Sequence, residues 1–185
     1  MSIGLAAAGE LEPMQCVCNI FAQCCGSLVG AGLLSVMVRK EADLTGGLGS
    51  NGVGASFSAK QALLGEVIMT FVLMYVVLET AVSKKNNKGD FAPLAIGFAV
   101  YLGHVVLIPI DGCSINPTRS LGPAVVATIQ DRGSKHFQDF WVFVVGPILG
   151  ALLAVVNFKF MKLRVPEDAN DEAKSMELPG RAEEA

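Results

Sequence analysis

Three stretches of this sequence hold no Asp, Glu, Lys or Arg over lengths that match a bilayer: Cys16 to Val38, Ala92 to Ile110 and Phe140 to Phe158. A fourth, Gln61 to Val82, is interrupted only by Glu66 and Glu79. A helix needs about 20 mostly apolar residues to cross the hydrocarbon core. Charged residues make up 17% of the 185-residue chain, against roughly 25% in soluble domains. A soluble protein of this length does not carry four such runs. The chain reads as a polytopic membrane protein.

Other classes fall away on charge and spacing. The net charge is −3 with no basic block, so nucleic-acid binding has no electrostatic footprint. The first apolar run starts too far in, and without a basic flank or cleavage site, for a secretory signal. Five cysteines are too few and too odd for a disulfide framework, and Cys16, Cys18, Cys24 and Cys25 share one apolar run. Core packing is the plain reading of those four. No metal-ligand cluster or cofactor motif stands out.

The expected layout follows. Residues 1–12 form a short apolar stretch, and 13–164 a membrane domain with spans at about 14–38, 60–83, 91–109 and 139–161. Residues 44–56 are Gly- and Ser-rich, a loop by composition. The polar turn Lys84 to Asp90 ends the second span. Residues 165–185 are acidic and poor in apolar side chains, so a disordered tail is expected. Residues 116–129 are apolar and helix-compatible but too short to cross, which fits a re-entrant segment. Irregular backbone at that depth must line a cavity or be buried in protein. Lys and Arg are evenly shared between the two sides. Their density in 83–90 and 159–164 favours a cytoplasmic C-terminus. Which membrane holds the protein is not written in the chain.

The pair Asn116-Pro117 carries the most chemistry. Proline suits the first helical position, where its missing N–H would be unpaired anyway. Asparagine before it is a strong N-cap, with its side-chain oxygen accepting from an amide near Thr118 or Arg119. That bond turns the NH₂ donors outward, at the positive end of a helix dipole of about half a charge. A cap in a surface loop would look the same locally. Arg119 is a costly charge within an apolar segment; it faces a water-filled path or reaches to head groups. His104 in the third span is a pore residue or a satisfied core residue. Glu66 in the second span must be protonated or take backbone donors, and reads as a brace for the re-entrant loop. Gly26/Gly30 and Gly146/Gly150 are GxxxG pairs that permit close helix contact.

Gly112-Cys113-Ser114-Ile115-Asn116-Pro117-Thr118-Arg119-Ser120-Leu121-Gly122-Pro123-Ala124 resembles the second Asn-Pro-Ala loop of the aquaporins. Ala92 to His104 resembles the family's fifth helix, and Trp141 to Ala154 its sixth. Gln23 to Gly26 and Gly65-Glu66 resemble marks of its third and fourth. The resemblance covers about residues 14–162. It implies an all-α membrane protein, an aquaporin-like helical bundle of four spanning helices plus a re-entrant half-helix and the remnant of another. His104 and Arg119 would then form two filter walls with Cys113 beside them, at the position mercurials attack in many relatives. Asn116 would orient permeant water, with Pro117, Thr118 and Glu66 supporting the loop. Ser120 stands where glycerol-conducting relatives carry Asp, and Ala124 where they carry a basic residue. Thr118 replaces the usual Ala, and Val144 an aromatic commonly found there.

The resemblance also implies that two spans and a first Asn-Pro-Ala triplet are missing. Met1 to Ala8 looks like the first half-helix cut just after its motif, so a fragment or truncated gene model is expected. The function implied is a passive water channel that excludes protons and ions, needs no cofactor or metal, and binds no nucleic acid. Its partners would be water, the lipid bilayer and three further copies in a homotetramer. The alternatives are a non-conducting truncated subunit, or a broader pore passing glycerol, urea or peroxide. An enzyme is not expected: Cys113 with His104 is the only nucleophile–base pair, and no third group orients it.

Overall fold

The computed structural model describes residues 1–83 and 91–164. It contains six α-helices: α1 (Ser2–Ala8), α2 (Pro13–Met37), α3 (Ala59–Val77), α4 (Ala92–Asp111), α5 (Pro117–Ile129) and α6 (Phe140–Arg164). A single π turn, Leu78–Val82, extends α3, and a 3₁₀ turn, Lys40–Ala42, follows α2. No strand occurs among the described residues. The helix starts follow from sequence. Pro13 and Pro117 sit in the first turns of α2 and α5, where a missing N–H costs nothing. Ser58 and Gln61 form a reciprocal capping box at α3.

Four helices are long and apolar enough to cross a bilayer: Pro13–Met37, Ala59–Val82, Ala92–Asp111 and Phe140–Arg164. Two of the expected ends move. The third span continues past Pro109 to Asp111, because proline keeps a helical φ and forfeits only one hydrogen bond. Gly112, in the left-handed region at φ 83°, stops it instead. The fourth span runs to Arg164 rather than 161, its last turn held by Lys162 over Phe158 and Arg164 over Phe160, each 4.8 Å from the ring centre. The expected turn at 84–90 and the expected disordered tail at 165–185 lie outside the described residues.

The centre of the fold is the α3–α6 contact. A β-carbon at Gly146 would lie 2.7 Å from Cβ of Glu66, and one at Gly150 would overlap the Val67 carbonyl. That pair of glycines is what lets the two helices meet. Met74, Leu78, Ala151, Ala154, Val155 and Phe158 fill the interface, with Leu5 and Ala8 of α1 packed on it. The other glycine pair does not behave as expected. Gly26 and Gly30 face no neighbour among the described residues. α2 instead meets α5 through Ser27, whose hydroxyl accepts from the Gly122 amide at 3.1 Å.

Packing also corrects the reading of the cysteines on α2. Cys16 is buried, whereas Cys18 and Cys25 are exposed on the outer face beside Phe21 and Val29. Both α2 and α4 turn apolar side chains outward: Phe21, Val36, Phe98 and Tyr101 are all well exposed. That is how a helix facing lipid or another apolar surface is built.

Candidate pore filter

The short link between α4 and α5 is strained and pinned. Gly112, Cys113 and Ile115 have φ of 83°, 57° and 47°. A left-handed β-branched residue such as Ile115 is a true outlier, so its surroundings must impose it. Glu66, fully buried on α3, supplies the constraint. Its two carboxyl oxygens accept from the Ser114 and Ile115 amides, each at 2.6 Å. Asp111 takes the Cys113 amide at 2.9 Å. Three successive amides are thereby turned towards carboxyl groups, and Ile115 and Cys113 pack among Met69, Leu73, Ala99 and Leu107.

Asn116 then caps α5. Its Oδ1 accepts from the Thr118 amide at 3.2 Å and from the Thr118 hydroxyl at 2.9 Å. The hydroxyl at Thr118 is thus turned onto Asn116, doubling the hold on the amide's orientation. Nδ2 has no protein acceptor among the described residues. Asn116 borders a cavity of about 270 Å³ with Pro117, Thr118, Val144 and Met1 on its walls.

Arg119 lies one turn into α5, partly buried. Its Nη1 donates to the Gly49 carbonyl at 2.8 Å and to Asn51 Oδ1 at 2.6 Å. Its Nε and Nη2 meet no protein acceptor among the described residues. Ser120, next in sequence, is buried and bonded to Ser114 Oγ at 2.6 Å and Asn51 Oδ1 at 2.8 Å. Ala124 is buried inside α5, its carbonyl taking the Thr128 hydroxyl.

The expected site residues do not all converge. Asn116, Pro117 and Thr118 face the cavity, whereas His104, Cys113 and Arg119 are absent from its walls. His104 bonds through Nδ1 to the Val100 carbonyl at 2.8 Å. A carbonyl can only accept, so Nδ1 carries a proton and Nε2 is left for other partners. The Cys113 side chain is wholly buried in the apolar cluster between α3 and α4. No hydrogen bond joins it to His104.

Several contributors were not apparent from sequence. Residues 43–54 fold over the end of α4 rather than hanging as a free loop. Gly52 and Gly54 donate to the Asp111 and Ile110 carbonyls. Upstream, Asp43 takes the Leu48 amide at 2.7 Å and the Thr45 hydroxyl at 2.6 Å. Arg132 reaches Asp43 at 3.5 Å and the Ser35 and Val38 carbonyls, with both charged side chains about 5% exposed. The Thr45 hydroxyl above all, with the Leu48 and Thr45 amides and Arg132, holds the Asp43 carboxyl below the usual carboxylate range, though burial opposes this. Ser50 meets His136 Nδ1 at 2.7 Å. The composition of 44–56 marked a loop, but nothing marked Asn51 as a partner of Arg119.

Residues 1–158 match the family described as Major intrinsic protein. Over 165 residues the chain is 37% identical to "Probable aquaporin PIP2-6" of Oryza sativa subsp. japonica, covering 87% of this chain and 57% of that one. Over 174 residues it is 35% identical to "Aquaporin-1" of Bos taurus, covering 94% and 61%. It therefore spans less than two thirds of the length of either relative. The fold is similar to the X-ray structure of the aquaglyceroporin from Plasmodium falciparum, at 22% identity and TM-score 0.71, over 83% of this chain and 67% of that one. With four membrane-capable helices, this is an integral, multi-pass membrane protein. The chain belongs to the major intrinsic protein family, the family of the aquaporins.

Proposed function

We propose that the protein takes part in passive, water-selective conduction, with Arg119, His104 and Asn116 as the residues that choose the permeant. The observation that carries this is the pair of donor sets without a protein acceptor among the described residues, Nδ2 of Asn116 and Nε/Nη2 of Arg119, at the opening of one half-length helix. Donors held without acceptors suit a neutral molecule with an oxygen lone pair. They also sit at the positive end of α5, where a cation is disfavoured. A pair of fixed donors at Asn116 makes a passing water point its hydrogens away from the helix. That interrupts the hydrogen-bonded chain protons would need, while pore width and charge exclude ions. His104, with Nε2 available, would supply a further polar wall, and Cys113 would bear on the filter through packing. Glu66, Ser120 and Ala124 support the loop rather than meet the permeant, while Pro117 and Thr118 hold Asn116 in place and border the cavity themselves.

A broader pore is the second reading, and Val144 on the cavity wall favours it, since a larger side chain there would narrow the space. The outward apolar faces of α2 and α4 suit lipid or another apolar helix, and the homotetramer is proposed on the family likeness alone. The basic end of α6, with Lys162 and Arg164, supports a cytoplasmic C-terminus.

The test is an osmotic jump on proteoliposomes carrying the complete gene product. Fast shrinkage with background glycerol flux is expected. Glycerol permeability equal to that of water would install the broader pore, and lipid-only water permeability at verified insertion would support a non-conducting subunit.

A further inference from the structure

Among the described residues Arg119 donates to two groups, and one of them is a side chain from a distant part of the chain. Asn51 is 3% exposed, and its Oδ1 takes both Arg119 Nη1 at 2.6 Å and the Ser120 hydroxyl at 2.8 Å. Its Nδ2 donates to the Asp111 carbonyl at 3.2 Å. The segment is anchored on both sides. Asp43 with Arg132 holds it upstream, and the Gly52 and Gly54 amides hold it on the end of α4 downstream. Asn51 therefore reaches Arg119 from a fixed backbone.

The residue type matters as much as the geometry. An amide oxygen accepts from a guanidinium without cancelling its charge; a carboxylate in the same place would pair with it and remove its value as a cation barrier. A shorter side chain would leave Nη1 with the Gly49 carbonyl alone. A long, flexible arginine would then sweep through several rotamers, and its free donors would lose their aim.

We infer that Asn51 is a positioning residue for the filter, fixing the direction of the Arg119 guanidinium while leaving its charge intact. This rests on the reading of Arg119 as a selectivity residue, but the placement can be tested without any transport.

The experiment measures phenylglyoxal adducts on Arg119 and Arg132 in the purified full chain in detergent micelles, read peptide by peptide by mass spectrometry. Asn51→Ala removes a charge-assisted hydrogen bond, and the Arg119 rate should rise about tenfold. Arg132, anchored separately by Asp43, should keep its native rate. Unchanged Arg119 reactivity overturns the inference. So does a parallel rise at both arginines, which would mean that the loop has merely come loose. Asn51→Asp is the second arm and holds even where the alanine variant does not fold. A charged acceptor grips the guanidinium harder, so the Arg119 rate should fall at least about twofold below native; an equal or faster rate overturns the inference. A chain that conducts no water would sink the transport reading and leave these adduct rates as they are.

Discussion

Replacing Glu66 with Gln tests whether the α4–α5 link is held by that side chain. The native carboxyl meets two amides, Ser114 and Ile115, at 2.6 Å each with no solvent access. Glutamine fills nearly the same volume but keeps one oxygen. Its NH₂ then faces an amide N–H, donor against donor. One buried amide and one buried NH₂ are left unpaired, each at about 1–3 kcal/mol. Against this, the loop recovers some strain when it lets go, since Cys113 and Ile115 hold left-handed backbones that cost about 1–2 kcal/mol each. The net destabilisation should be about 2–3 kcal/mol, within the range of a broken buried network. Reversible unfolding in mixed micelles, followed by the fluorescence of Trp141, reads it directly. Amide exchange should localise it: Ser114 and Ile115 exchange faster by about tenfold for each 1.4 kcal/mol, while amides in α6 slow or quicken only with global stability. Glu66→Ala should cost at least as much, because both amides lose their partner. A Gln variant within about 0.5 kcal/mol of native, with Ser114 and Ile115 still protected, would refute the argument.

Three further outcomes follow from other parts of the structure. The folded-state pKa of Asp43 is depressed, so its contribution is present in full above the unfolded carboxylate pKa and is lost as pH falls through the folded one; acid titration of stability should lose that component in Asp43→Asn, and identical acid profiles would contradict it. Gly150→Ala drives a methyl into the Val67 carbonyl and should destabilise the α3–α6 contact by about 1–3 kcal/mol, whereas Gly26→Ala, with open space beside it, should be neutral or mildly stabilising when the same unfolding assay is applied. Maleimide in detergent should label the exposed Cys18 and Cys25 well before the buried Cys16 and Cys113; early labelling of Cys113 would show that its thiol lies open to the site.

The spans were legible because hydrocarbon demands a long uncharged run, and a run is a property of neighbouring residues. The ends were less so. Nothing local announced that the helix would carry through Pro109 and wait for Gly112, or that two cation–ring pairs would add a turn beyond Met161. The two GxxxG pairs look alike on paper, and only the tertiary fold sets Gly146/Gly150 against a helix and leaves Gly26/Gly30 open. The same division runs through the site. Asn116 before Pro117 could be read as a cap because a cap is local, made with Thr118 two residues away. Glu66 could be read as a brace because a buried carboxyl must find donors, although its partners lie 48 and 49 residues on. Asn51 had neither signal. It is a neutral residue in a Gly-rich stretch, 68 positions from Arg119, and polar residues in such stretches are usually left to water. What brings the two together is a sum of weak anchors, namely the Asp43–Arg132 pair, the Ser50–His136 contact and two glycine amides on the end of α4. The direction of the Arg119 charge is thus set by a loop outside the helix that carries it, and on the proposed function changes in that loop should alter selectivity without touching a residue that meets the permeant.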